Sequence, residues 1–522
     1  DPTFSLDFNT IAEQFTFARG SEATYVDAQG LIQSTNELGS ELITNGDFAT
    51  DSDWNLDPGW SISGGTANGN SPGSTRPISQ IVNGLTAGKT YKVSFDLLNI
   101  TSGYVRVYVY KGASGTFTNI LTTPESQNGT YEVEFEFGGT NKTFRIYPSL
   151  NADPDFIGSI DNVSVKEVIS ATNTPRLDYS TGAEAFLLEP QSTNLVIYSE
   201  DFSNAYWNKV RVSVAGGFNS PDGGANAFKL VEDTSSGTHP LYKNNTSVTA
   251  SAKVTISLYA KGNGRDWIFI EDYDGNGGFY FDLKNGVIGT IFGVPDNYGF
   301  EEMANGWFRL WLTNTEPSTS ADFSIYLADA DNSLTYQGDG TSGVYIYGAQ
   351  LEALPYATSY IPSNGSQTTR NQETCINATP EINSEEGVLY VEVAALANDG
   401  TTRRLAISDG SNANRIFIGY NTTSNSLQFV VQSSGALVVN STFSISDITQ
   451  FSKIALKYKE NDCSFWIDGV EVGTDTTAAM PTGLNTLLFG QGDTARPLLG
   501  NTKDIQVYTK ALSDAELIKL TT

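Results

Sequence analysis

The chain has 522 residues, and at about 150 residues per domain this length predicts three or four domains, each able to bury its own core. A net charge of −29, from 30 Lys and Arg against 59 Asp and Glu, argues against a surface that contacts nucleic-acid phosphates or anionic membrane, since both need clustered cations. With 50 Gly, 25 Tyr, 28 Phe and only 17% charged residues, the composition predicts short strands and tight turns in an all-β protein.

Two cysteines, Cys375 and Cys463, are too few for a disulfide framework and are expected to be unpaired unless the fold brings them together. No apolar run approaches the ~18 residues needed to span a bilayer. The chain opens on Asp1, as a processed chain would, or one whose numbering starts after earlier residues.

Taken in order, residues 1–40 show mixed alternation, TFSLDF then FTFAR, followed by the turn-like VDAQG before LIQS, and read as short strands joined by turns. Residues 41–168 open with ELITNGDFATDSDWNLDPGW and close with GSIDNVSVKEV. Between these, YVRVYVY and YEVEFEF alternate as strands with one buried face do, which predicts a two-sheet sandwich. Residues 169–197 carry TNTPRLDYSTGAEAFLLEPQSTNL.

At residue 198 a second sandwich is expected to begin with the same grammar, YSEDFSNAYW beside NGDFATDSDW, so that Phe202 answers Phe48 and Trp207 answers Trp54. The closing strands also correspond, GVYIYGAQLEAL to GSIDNVSVKEV. This predicts an internal repeat of domain length ending at residue 361. Residues 362–384 read as a polar linker. From residue 385 to 522, SFWIDGVEVG predicts a hairpin with a tight Asp-Gly turn, and SDAEL predicts a short helix with Ser513 as N-cap and Glu516 in the capping-box position.

With residues 41–168 removed, the two flanking pieces join as TYVDAQGLIQ and TNTPRLDYSTGAEAFLLEPQSTNL, which resembles a module of tailed-bacteriophage virion surface proteins. The NGDF and IDNV motifs resemble those of jelly-roll carbohydrate-binding modules, and the last quarter resembles concanavalin-like or laminin-G-like sandwiches. The resemblance implies three β-sandwich (jelly-roll) modules in tandem, the first inserted into a split lead-in segment. It further implies a fibre, spike or head appendage on the virion surface that adheres to host or environmental glycans, performs no catalysis, has other virion proteins as partners and assembles as a homo-oligomer, with a trimer as the guess. Two other readings stand beside it: a capsid or tail decoration protein without sugar binding, and a secreted polysaccharide-binding or polysaccharide-degrading protein.

In the carbohydrate-binding families a calcium ion often ties the terminal strands, which carries over to Asp47 and Asp161; equally, both can cap turns at strand ends. The run EDYDGNGG holds Asp272, Asp274, Asn276 and Gly277 at the opening spacing of an EF-hand loop, but position twelve is Leu283, so a Gly-rich hairpin is the expected structure with calcium as the other reading. His239, the single histidine, lies in SSGTHPLYKNN and reads as a surface-loop residue with no nucleophile elbow to serve. Sugar rings stack on exposed aromatics. Trp60 and Tyr273, beside turn residues, are the candidates, while the tryptophans of NAYWNK, NGWFRLW and SFWIDG are expected in cores.

Overall fold

The computed structural model describes residues 1–112, 116–121, 126–150, 153–169, 171–274 and 277–522. Alternation does what the sequence implies: in Thr90–Ser102, Tyr91, Val93, Phe95 and Leu97 are buried while the residues between them are not. Strands built this way have one apolar face and must pair face to face. The described strands form nearly all-β layers with few helical turns.

In the first sandwich one sheet runs Gly129–Glu136, Thr90–Ser102, Ile157–Ile169, Thr66–Asn70, Trp60–Ser63, with Glu37–Glu41 added on Ile157–Ile169. The facing sheet runs Thr116–Asn119, Val105–Lys111, Thr143–Pro148, Ile78–Ile81, Asn55–Leu56. In the second sandwich the sheet Val212–Phe218, Ala227–Glu232, Gly343–Glu352, Lys253–Asn263, Phe308–Thr315, Asn297–Glu302 faces another. That partner runs Asn208–Lys209, His239–Ser247, Ser320–Ala328, Trp267–Asp272, Gly277–Asp282, Val287–Gly293.

The two sandwiches open on the same device. Phe48 packs on Trp54 with ring centroids 5.2 Å apart, and Phe202 on Trp207 at 5.3 Å. Each indole N–H donates to a backbone carbonyl nine residues upstream, Trp54 to Asn45 O at 2.9 Å and Trp207 to Tyr198 O at 3.0 Å. A buried indole keeps its hydrogen bond this way while its rings fill the end of the core.

The third sandwich pairs a five-stranded sheet (Ala436–Ser444, Ser426–Ser433, Arg415–Tyr420, Arg403–Ser408, Thr486–Phe489) with a larger one. The larger sheet runs through Gly500–Tyr508, Glu386–Ala395, Ser452–Lys459, Cys463–Ile467 and Val470–Asp475, and it is extended by Arg176–Asp178 and Ala185–Leu188, with Phe4–Ser5 also on Gly500–Tyr508. The Asp-Gly turn has φ of 47° at Asp468 and 80° at Gly469, the left-handed pair that a two-residue hairpin requires. The helix Asp514–Thr521 starts as its sequence specifies, with the Ser513 N–H donating to the Glu516 carboxylate at 2.8 Å.

Three sequence expectations are corrected. The lead-in does not stand apart from the sandwiches: Ile11, Phe15, Phe17, Phe186 and Leu188 are buried in the same core as the third sandwich. All four residues of Ala185–Leu188 are buried, so this strand needs cover on both faces and finds it only as part of a sheet. The stretch 362–384 is not a linker, because Thr368–Arg370 pairs with Ser192–Asn194 and Thr374–Ile376 with Thr16–Ala18. His239 is 0% exposed and stacks on Tyr336 at 4.7 Å; it lies at the start of a strand, not in a loop, so its ring is covered by the sheet neighbours. Both cysteines are buried free thiols.

Where the two halves of the lead-in meet, five charged side chains are sealed from solvent. Arg19 Nη1 lies 2.8 Å from Glu373 Oε1, and Arg176 Nη2 lies 2.6 Å from Glu373 Oε2. Arg176 Nη1 and Arg370 Nη1 both reach Glu189 Oε2, at 2.8 and 2.9 Å. Thr358 Oγ1 accepts from Arg370 Nη1 at 3.1 Å and donates to Glu352, which brings a third carboxylate to balance the third guanidinium. Burial pushes the Glu189 carboxyl up, but the charges of Arg370 and Arg176 outweigh this and hold it down to about 2.

Removing one acceptor from such a network leaves guanidinium groups buried without a counter-charge, so Glu373→Ala is expected to cost about 3–5 kcal/mol. Urea denaturation of the full chain measures it, and a loss under about 1 kcal/mol would show that the network is not what holds the lead-in. Because the folded-state pKa of Glu189 lies below its unfolded value of about 4.3, its contribution is complete above that pH and is lost as the pH falls toward 2.

Candidate functional site

The outer face of one sheet of the second sandwich is set by alternation in FRLWL. Leu310 and Leu312 turn into the core, which puts Arg309 and Trp311 on the opposite face. On the adjoining strand, Gly299 is in register with Trp311 and Glu301 with Arg309. A Cβ at Gly299 would come 2.5 Å from the indole of Trp311, so only glycine lets the ring lie across that strand.

The lead-in hairpin Thr24–Val26 and Ile32–Ser34 covers part of this face, where Ile32 packs with Tyr259, Trp307, Tyr347 and Tyr360. Asp27 shapes the hairpin's turn by accepting the N–H groups of Gln29 and Leu31, both at 2.9 Å, with Gly30 at φ 76°. What the hairpin leaves uncovered becomes one wall of a cleft of about 730 Å³. Tyr25 and Asp178 of the lead-in, Tyr356 and Thr358 of the following segment, and Asn398 and Asp399 of the third sandwich supply the rest.

The cleft is amphipathic. Trp311 offers a partly exposed ring face. Arg309, whose guanidinium lies 5.5 Å from the Tyr259 ring centroid, donates to Thr358 O, which aims it along the wall. Asp178 is tied down by the N–H groups of Val26 at 2.8 Å and Ser180 at 2.9 Å. On the third-sandwich wall, burial pushes Asp399 up, but the hydrogen bond and charge of Arg403, 2.8 Å away, outweigh it and leave Asp399 below the usual carboxylate range. Burial pushes Glu301 up to about 7 against the opposing charge of Arg309. A volume within the ~300–1,000 Å³ usual for small-ligand sites, an indole face, a fixed guanidinium and several oxygen acceptors suit a neutral polar ligand with one apolar face.

The structure separates the residues that the sequence nominated. Trp60 is 7% exposed, packs on Phe156 at 5.7 Å and donates its indole N–H to Arg76 O at 2.9 Å, so it belongs to the first core and offers no sugar platform. Tyr273 is 70% exposed, on the turn that joins Trp267–Asp272 to Gly277–Asp282, and does not line the cleft. Asn276 lies outside the described residues.

The NGDF and IDNV motifs do meet, the Val163 N–H donating to Gly46 O at 2.9 Å. Their carboxylates, however, accept from neighbouring backbone: Asp47 takes the Ala49 N–H of its own turn at 3.4 Å, and Asp161, inside the strand Ile157–Ile169 beside a β-bulge, takes the Asn162 N–H at 2.7 Å. Among the described residues no group of three or more His, Cys, Asp or Glu is gathered to hold a metal. Trp311, expected in a core, is the aromatic that the cleft displays. Its signal was the alternation in FRLWL, which places it on the side of Arg309, opposite Leu310.

Residues 390–518 match the sequence profile of the Laminin_G_3 family, described as the concanavalin A-like lectin/glucanases superfamily. No curated protein matches the chain in sequence. Among solved structures the chain is similar to the CBM40 of a Ruminococcus gnavus IT-sialidase bound to α2,3-sialyllactose, at 20% identity over 27% of this chain and 84% of that one, with a TM-score of 0.24. It is similar to domain 4 of a GH43 arabinanase from Geobacillus stearothermophilus in complex with arabinotriose, at 16% identity over 32% and 82%, TM-score 0.25. It is also similar to domains LG4-5 of the mouse laminin alpha1 chain, at 10% identity over 54% and 89%, TM-score 0.19.

A carboxyl whose folded-state pKa is raised keeps its proton where the unfolded chain has lost it. Glu301 therefore contributes stability that is full below about pH 4.3 and is lost as the pH rises through about 7. Glu301→Gln is expected to flatten the slope of melting temperature against pH between about 4.5 and 7.5. An unchanged slope would show that Glu301 ionises as a surface group does.

Proposed function

We propose that this chain is a surface protein of a tailed-phage virion, a fibre, spike or head-displayed appendage, that adheres to glycans through the cleft between its second and third sandwiches. The observation that carries the glycan reading is Trp311 lying across Gly299 beside Arg309, an indole platform with hydrogen-bonding groups of both kinds around it. The match of residues 390–518 to a superfamily described by lectins and glucanases supports the same reading. Support for the virion comes from the sequence, in which the split lead-in resembles the phage module on both sides of the inserted sandwich.

Recognition in such a site works by burial and geometry. A pyranose ring stacks its C–H face on Trp311, while Arg309, Glu301 and the amide of Asn398 take its hydroxyls. Glu301 gains a second role from its raised pKa, donating as an acid below about pH 7 and only accepting above it. Many copies on one virion turn individually weak sites into a high-avidity contact.

A glycan array probed with the full chain tests the reading. Trp311→Ala is expected to weaken whatever glycan binds by at least tenfold, about 1.4 kcal/mol, with the melting temperature retained. An array that stays silent favours a decoration protein, and binding that Trp311→Ala leaves intact puts the sugar elsewhere, with Tyr273 the next residue to change. Release of reducing ends from an acidic polysaccharide would point to a degrading enzyme instead.

A further inference from the structure

The outer face of the five-stranded sheet in the third sandwich gathers positive charge without carboxylates to match it. Leu405, Ile407, Ile416 and Ile418 turn into the core, so alternation puts Arg404, Ala406, Arg415 and Phe417 on the opposite face. Arg404 is in register with Gly419, where a Cβ would fall 2.2 Å from Arg403 O and 3.0 Å from Arg404 Cγ, so glycine leaves room for the arginine stem. The guanidinium carbon of Arg404 lies 4.4 Å from the centroid of the Phe417 ring, and that of Arg415 lies 5.4 Å from the same centroid. The ring itself is 1% exposed, on a floor shared with Ala406, Val430 and Leu488. Arg496 stands at the rim, exposed, its carbonyl accepting the Arg404 N–H at 2.9 Å.

Among the described residues, every hydrogen-bond partner of these two guanidinium groups is neutral. Arg404 is 8% exposed; its Nη1 donates to Gln491 Oε1 at 2.7 Å and its Nη2 to Gln428 Oε1 at 3.4 Å, while Nε has no acceptor. Arg415 Nε donates to Gln432 Oε1 at 3.0 Å, and its Nη1 to Asn412 Oδ1 and, at 2.7 Å, to Gln491 O. The ion pairs of the third sandwich join Arg403 to Asp399, Lys457 to Asp462 and Lys459 to Glu386, and none reaches Arg404, Arg415 or Arg496. Asp493, the acid whose charge Arg415 feels, is held by Asn412 Nδ2 and by the Ala495 N–H. Buried arginines elsewhere in the chain sit directly on carboxylates, as Arg19, Arg176 and Arg370 do, because a buried charge without a counter-charge is costly. Burial, with the charges of Arg496 and Arg415, lowers Arg404 from its ordinary value to about 10.

We propose that Arg404 and Arg415 form a site for the carboxylate of an acidic sugar, of the uronic or sialic acid class, with Arg496 adding its charge from the rim. Arg404 spends one N–H on each Nη, and Arg415 spends none on Nη2, which leaves N–H groups to fork onto a planar carboxylate. The ligand's carboxylate supplies the counter-charge that the sheet does not. The surroundings favour a hydroxylated acid over a bare one. Gln428 Nε2 donates to Asn440 Oδ1 at 2.8 Å and Gln432 Nε2 to Gly435 O at 3.0 Å, so each amide keeps a second N–H for a sugar hydroxyl beside the arginine it orients. Three cations suffice for one carboxylate and are too few for a nucleic acid, in keeping with the net charge of −29. None of these residues lines the cleft at Trp311, so this site stands or falls apart from that one.

The test is calorimetric titration of the full chain with oligogalacturonate and with sialyllactose, beside the methyl ester of the first and lactose as their uncharged counterparts. At least one acid is expected to bind about tenfold or more tighter than its uncharged counterpart, and to weaken as sodium chloride is raised. Which acid binds assigns the sugar class. Arg415→Gln, at a half-buried position, is expected to weaken that binding about tenfold with the melting temperature kept, and Arg404→Gln to do the same; if Arg404→Gln does not fold, Arg415→Gln decides alone. Trp311→Ala is expected to leave this binding unchanged, which separates it from sugar binding in the cleft. Failure of both acids to bind, or binding no tighter than that of the uncharged counterparts, overturns the site. Acid binding that survives the arginine substitutions overturns it in favour of a site elsewhere, and binding of dextran sulfate with neither carboxylate bound overturns it in favour of a sulfate site.

Discussion

The constraint on which the rest of this architecture depends is the sealed network of Arg19, Arg176, Arg370, Glu189 and Glu373. Its members come from both halves of the lead-in and from the segment after the second sandwich, so the network closes only when distant stretches of chain are in place together. Buried ion pairs of this kind add little net stability over an apolar core, but they penalise heavily any arrangement that leaves one charge unmatched. Their effect is to specify: one relative placement of the lead-in halves and the segment after the second sandwich gives every guanidinium charge a carboxylate.

That placement makes the cleft. The lead-in hairpin reaches over the outer face of the second sandwich, covers Tyr259 and Trp307, and stops short of Trp311. The lead-in also supplies strands to the large sheet of the third sandwich, which brings Asn398 and Asp399 to the opposite wall. A site formed between modules in this way depends on several elements at once, as ligand sites at domain interfaces commonly do. No described residue of the first sandwich lines the cleft, and its insertion between the halves of the lead-in leaves their junction intact, Tyr179 N–H still donating to Val26 O at 2.9 Å.

The paired sandwiches show how one sequence device can serve two cores. The Phe and Trp at the start of each, with the indole N–H returned to a carbonyl nine residues back, plug the end of the sandwich in both copies. Beyond that shared plug the copies diverge. The second buries Asp272, Asn314 and Glu316 between its sheets, while in the first the IDNV carboxylate of Asp161 accepts the next N–H at a bulge in its own strand.

Local chemistry was legible without coordinates. Alternation identified the strands, Asp468 and Gly469 the tight hairpin, Ser513 and Glu516 the start of the last helix, and Phe48, Trp54, Phe202 and Trp207 the repeat, because each depends on residues close in the chain. Partner choice was not legible. The AFLL strand, read as lead-in, joins the third sandwich; Thr368–Arg370, read as linker, pairs with Ser192–Asn194; Trp60 is in a core and Trp311 is at a cleft. In each case the deciding fact is which surface arrives from far along the chain to cover a residue, and exposure at a strand position is a property of that distant neighbour. The buried arginines make the same point: nothing local to Arg19, Arg176 or Arg370 marks them as buried, because their partners Glu189 and Glu373 arrive from far along the chain. The strands, turns and caps followed from residues near one another in the chain, and tertiary packing alone decided which faces met, because burial and charge pairing between remote segments have no local signature.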